Sequence, residues 1–189
     1  MDLQVELASI KEGVDQRELA RIVRRHRSTG FGRHKPHYVD LMTCLTTDFD
    51  EAVRLGLHQG KAKWILDIGT GPGAFPHILR HFGHDVVATE REDDESTMWH
   101  WWHSSRLRRR WIGRRFDDEG LRQWLGSRHT LYGDMAELLG IDLLFWTVEE
   151  RRPGPELGGA FDLVCARSLY FDHPGWMATT PPSSGPQRV

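Results

Sequence analysis

The chain is poor in the features that would assign it quickly. It has only two cysteines, Cys44 and Cys165, in 189 residues, too few for a disulfide framework, and the default compartment is a reducing cytosol. No apolar run approaches the length of a membrane span. The opening residues Met1, Asp2, Leu3 and Gln4 carry an acid and no apolar stretch, so no signal peptide is expected. Neither charge sign dominates: 25 basic against 27 acidic side chains leave a net charge of −2, with no global attraction for nucleic acid or anionic membranes. A soluble, cytoplasmic, single-domain protein is the expectation, since 39% hydrophobic residues over this length can build a core without staples.

What the chain does have is concentrated in residues 64–90, WILDIGTGPGAFPHILRHFGHDVVATE. A buried strand (Trp64, Ile65, Leu66, Ile68) runs into a turn with Gly69, Gly71 and Gly73. Phe75, Ile78, Leu79 and Phe82 follow at helical spacing, then Gly83, then a second apolar run (Val86, Val87, Ala88) closed by Glu90. This is one βαβ unit with a nucleotide-type turn at the end of its first strand. The glycines permit a tight turn, close backbone approach to a ligand, and a helix that starts close against the strand. Glu90 lies 21 residues after Gly69, where an acid can accept from both hydroxyls of a ribose.

The run Asp67-Ile68-Gly69-Thr70-Gly71-Pro72-Gly73, with Glu90 beyond it, resembles motif I and the following acid of class I S-adenosylmethionine-dependent methyltransferases. Residues 161–166 (Phe161-Asp162-Leu163-Val164-Cys165-Ala166) look like the fourth strand of that family. The resemblance covers less than a third of the chain. It implies a three-layer α/β Rossmann-like sheet that binds S-adenosyl-L-methionine. Asp67, Gly69, Thr70, Gly71 and Gly73 would line the methionine pocket, with Asp67 holding the amino group directly or through water, and Glu90 would bind the ribose. The competing reading is a dinucleotide site, since Gly69-x-Gly71-x-x-Ala74 also fits the NAD(P) fingerprint with Glu90 as the ribose acid. The alternating third glycine, Gly73, and Asp67 two residues before the first favour the methyl donor.

Residues 1–60 read as helices before the first strand. Asp15 with Glu18 makes a capping-box-like start for a stripe of Leu19, Ile22 and Val23, ending in Arg24, Arg25, His26 and Arg27, cations that suit a last helical turn. Residues 28–32 break the pattern. Pro36 opens a second helix through Tyr38, Leu41 and Met42. Thr47 or Asp48 caps a third, carrying Phe49, Ala52, Val53 and Leu57 and ending near Gly60. These helices either cover the cofactor site or pack on the sheet edge.

The core is expected over 61–173, interrupted at about 91–130 by an insertion holding five of the eight tryptophans. Arginines interleaved with those rings (Arg106, Arg108, Arg109, Arg110, Arg114, Arg115) suit nucleic acid, while the same stretch also reads as a substrate lid or as a solvated, partly helical insert. His100 and His103 have helical spacing but no companion ligands, so no metal is expected. A helix such as 132–141 follows.

The third strand has two candidates. Residues 130–134 end in Asp134 but lie too far before Phe161, whereas 144–149 are followed by Pro153, Gly154, Pro155, Gly158 and Gly159, a turn-rich link to the fourth strand. Glu149 is therefore the expected adenine-facing acid, with Asp134 the fallback. Beyond Ala166 only 23 residues remain, and 174–189 are a Pro/Ser-rich tail expected to be disordered. The family order 3-2-1-4-5-7-6 is supported here only as 3-2-1-4. The C-terminal strands that grip substrate are missing, which suggests a truncated or frame-altered chain with strand 4 as an edge open to self-association. Arg167, Tyr170 or His173 is left to meet a small-molecule methyl acceptor, and no general base can be assigned. A truncated, non-catalytic fragment is the third reading.

Overall fold

The computed structural model describes residues 2–28, 30–90, 118–145 and 161–166. Within them, α1 (Leu3–Glu12), α2 (Gln16–His26), α3 (Gly30–His34), a 3-10 turn (Pro36–Tyr38) and α4 (Leu41–Arg54) precede β1 (Trp64–Ile68). Then come α5 (Ala74–His81), β2 (Asp85–Glu90), α6 (Asp118–Leu138), β3 (Leu143–Phe145) and β4 (Leu163–Ala166). The four strands form an all-parallel sheet in the order β3-β2-β1-β4, so an α/β fold compatible with a Rossmann-like sheet is what the sequence builds.

Local chemistry explains most of the helix boundaries. Asp15 caps α2 by accepting from the amides of Arg17 (2.8 Å) and Glu18 (3.2 Å). Glu18 does not complete the box; its carboxylate takes the guanidinium of Arg21 at 2.8 Å instead. Pro36 opens only the 3-10 turn, and Leu41 and Met42, expected in its helix, instead share α4 with the residues expected in the helix capped at Thr47 or Asp48. Asp40 caps α4, accepting from the Thr43 amide at 3.2 Å, and the chain runs through Thr47 and Asp48 without a break. Thr46 and Thr47 continue the helix because their hydroxyls donate back to the carbonyls of Met42 and Thr43, removing the competition that makes such residues caps. The helix ends at Arg54 rather than near Gly60, with Gly56 at φ 70° and the Leu57 amide reaching back to Ala52 O.

The strand assignment depends on register. β1 pairs with both β2 and β4, so Ile65 lies between Val86 and Leu163, and Asp67 between Ala88 and Cys165. Paired residues of parallel strands share a face, and Ile65, Val86, Ala88 and Cys165 all join the core formed with α4, α5 and α6. Phe75, Ile78 and Leu79 of α5 are fully buried there, each contributing roughly 1.5–3 kcal/mol. On the opposite face Leu144 and Val164 are 44% and 53% exposed. The described residues thus define two of the three expected layers, with β4 paired to β1 alone among them.

β3 begins one residue before the expected 144–149 segment and pairs Leu143, Leu144 and Phe145 with Ala88, Thr89 and Glu90. Residues 130–134 are helical, inside α6, and that helix starts at Asp118, within the stretch read as an insertion. Its end is set by Gly140 at φ 64°, with the Ile141 amide bonded to Ala136 O at 2.8 Å. The tail, Glu149 and the arginines from Arg106 to Arg115 lie outside the described residues. Among the described residues no helix is long and apolar enough to cross a membrane.

Candidate binding site at the ends of β1 and β2

β1 carries Asp67 to the C-terminal end of the sheet, and residues 69–73 turn from there into α5. Gly69, Gly71 and Gly73 sit at φ 75°, 65° and 85°, a region that costs other L-residues about 1–2 kcal/mol. At Gly71 that conformation is the whole requirement, since a Cβ there would meet only a Tyr38 ring carbon at 3.9 Å. The turn is pinned to the neighbouring strand. Thr89 O accepts from the amides of Gly69 (2.9 Å) and Thr70 (3.1 Å), and Thr89 Oγ1 donates to Asp67 O at 3.2 Å. The Thr70 hydroxyl donates to the Asp67 carboxylate, which is fully buried beneath the turn.

Glu90 arrives by register. Ile68 lies opposite Thr89, so the next residue of β2 projects just past the end of β1. There its Oε2 accepts from the Gly71 amide at 2.7 Å, with the side chain only 9% exposed. An ionised carboxylate has about four lone-pair sites, so it can accept more than one hydrogen bond. α5 begins directly behind Gly73, which supplies no side-chain cap to its first amides.

Three further side chains border the turn that sequence reasoning did not single out. Tyr38 reaches it from the N-terminal helices. Arg128 and Tyr132 reach it from α6: Arg128 Nη2 lies 3.7 Å from Glu90 Oε1, and its guanidinium stands 5.7 Å from the Tyr132 ring centroid. Burial, reinforced by the charge of Glu90, pushes the Tyr132 phenol far above its ordinary value, making it a neutral group rather than a base. The one sequence signal was the four-residue spacing of Arg128 and Tyr132 on a helix face, hidden because residue 128 fell inside the expected insertion.

The structure thus places Gly69, Thr70, Gly71 and Gly73 in one turn, with Asp67 of β1 beneath it and Glu90 at the adjoining end of β2. Asp134 is elsewhere. It faces α2, with its Oδ2 2.7 Å from His26 Nε2 and 3.0 Å from Arg25 Nη1, because a helical backbone points it away from the strand ends. The basic end of α2 is accordingly a docking contact with α6 as well as a match to the helix dipole. Glu149, His100, His103, Arg167, Tyr170 and His173 lie outside the described residues. Among the described residues no cluster of three or more His, Cys, Asp or Glu side chains could hold a metal ion. No protein-family model, curated protein or solved structure matches the chain.

Proposed function

We propose that this protein binds S-adenosyl-L-methionine across the ends of β1 and β2 and transfers its methyl group to a small molecule. The observation that carries the reading is the 2.7 Å contact between the Gly71 amide and Glu90, which joins a positive-φ glycine turn to an acid at the end of the next strand. In this reading Gly69, Gly71 and Gly73 let the backbone approach the donor, and Glu90 accepts from the ribose hydroxyls. Asp67 acts through the turn it anchors, its carboxylate held by Thr70. Glu149 is assigned to the adenine by resemblance. When bound, adenosylmethionine supplies an electrophilic sulfonium methyl; the chain's part is to hold it aligned and shielded from water.

A dinucleotide is the second reading, supported by α5 starting at Ala74 with no side-chain cap on its first amides, an arrangement that suits a pyrophosphate. Side-by-side calorimetric titration with adenosylmethionine, adenosylhomocysteine, NAD and NADP separates the two. Heat with the sulfonium compound and its product is expected. A folded protein that ignores both at millimolar concentration sinks the methyltransferase reading, and binding of NAD alone replaces it.

A further inference from the structure

We infer that Arg128 is a latch that holds Glu90 against the Gly71 turn, and that a nucleoside must displace it, so that Arg128 sets the affinity of the site. The second half of the inference rests on the nucleoside reading above; the first half does not.

The geometry has three parts. Glu90 Oε2 accepts from the Gly71 amide at 2.7 Å, and its Oε1 faces Arg128 Nη2 at 3.7 Å. The two charged side chains are 15% and 9% exposed, so their attraction is screened less than that of a surface pair. Arg128 is also kept on the site side of α6 by Tyr132, one helical turn further on, whose ring lies under the guanidinium at 5.7 Å.

The separation determines how the pair behaves. At 3.7 Å the contact is an ion pair without a directed hydrogen bond. It can hold the carboxylate in place yet yield to a better-aligned donor. Ribose hydroxyls are such donors, and they would approach the oxygen that Arg128 faces. A ligand that binds only when Arg128 has moved aside has its affinity lowered by the fraction of molecules in that state.

Arg128→Met removes the charge while keeping an unbranched side chain that can lie on the Tyr132 ring. In the ligand-free protein, exchange of the Gly71 amide, read by NMR, is expected to quicken about tenfold in this variant. Arg128→Lys, which keeps the charge on a narrower, shorter-reaching head group, is expected to fall between the two. Unchanged Gly71 protection in both variants overturns the latch.

In titrations, adenosylhomocysteine is expected to bind Arg128→Met about five- to tenfold more tightly than the parent chain, through a faster association. Equal or weaker binding by the variant overturns the affinity role. Tighter binding of NADP by the parent than by Arg128→Met also overturns it, since Arg128 then serves the ligand's phosphate. Quickened Gly71 exchange with no nucleoside binding to either chain upholds the latch and rejects the nucleoside reading.

Discussion

Gly71 and Glu90 are 19 residues apart in sequence and 2.7 Å apart in space, joined by an amide that donates to a carboxylate. The contact closes the glycine turn over the end of β1 and fixes the acid that borders it. Glu90→Ala removes the acceptor from a buried amide and the counter-charge from Arg128. A stability loss of about 1–3 kcal/mol is expected in urea unfolding, the scale for a buried group left unsatisfied. Glu90→Gln keeps an oxygen for Gly71 and should lose less. Identical midpoints for all three chains would show that the contact contributes nothing. In the proposed complex, Glu90→Ala should also weaken adenosylmethionine binding by about 1–3 kcal/mol.

Two glycines should respond to alanine for different reasons. A Cβ at Gly71 has room, so Gly71→Ala should cost about 1–2 kcal/mol from its positive φ alone. At Gly32 a Cβ would stand 2.2 Å from the carbonyl oxygen of His26, which is backbone and cannot swing away. Gly32→Ala is therefore expected to be the more damaging by thermal unfolding, and the reverse order would contradict the packing of α3 on α2.

Asp134 joins α2 to α6 through His26 and Arg25. Its replacement by alanine leaves the buried His26 ring without that acceptor, and a loss of about 1.5–3 kcal/mol is expected, the range for hydrogen bonds to charged groups. Hydrogen exchange should quicken first in α2 and the adjoining face of α6. Exchange that quickens only in the sheet would place the weak point elsewhere.

His77 gives the fold a pH dependence. Burial holds its pKa below the ordinary 6.5, against the opposing bond from Nδ1–H to Leu139 O at 3.0 Å. The unfolded chain therefore takes up this proton at a higher pH than the native one. The neutral ring's contribution is complete above 6.5 and is lost as pH falls from there through the lowered native value. Urea midpoints of the parent chain should drop over that interval, and those of His77→Gln should drop less. Parallel curves would remove His77 as the cause.

The βαβ unit was legible because it rests on short-range signals, whereas the order 3-2-1-4 was implied by the family resemblance and depends on distant pairings such as Asp67 with Cys165. The apolar runs at 64–68 and 85–90, the glycine turn between them and the spacing to Glu90 need no distant partner to be recognised, and all of them fold as the pattern implies. The helix boundaries were less legible. Thr47 and Asp48 carry the composition of a cap, but they sit mid-helix because Thr46 and Thr47 spend their hydroxyls on preceding carbonyls. Residues 130–134 imitate a strand end in composition yet belong to α6, whose buried Leu131 and Met135 recur at helical spacing.

The amino-acid order by itself determined the βαβ unit, its three positive-φ glycines and the placing of an acid one strand along, since each depends on residues within a single crossover. Only the tertiary structure decided what that acid meets. Arg128 and Tyr132 come from a helix 38 residues or more downstream, and Tyr38 from before the first strand, brought together by the burial of α4, α5 and α6 on one sheet face. Packing across that distance is selected by the summed burial of many side chains, and no local pattern encodes which polar group is carried along with them.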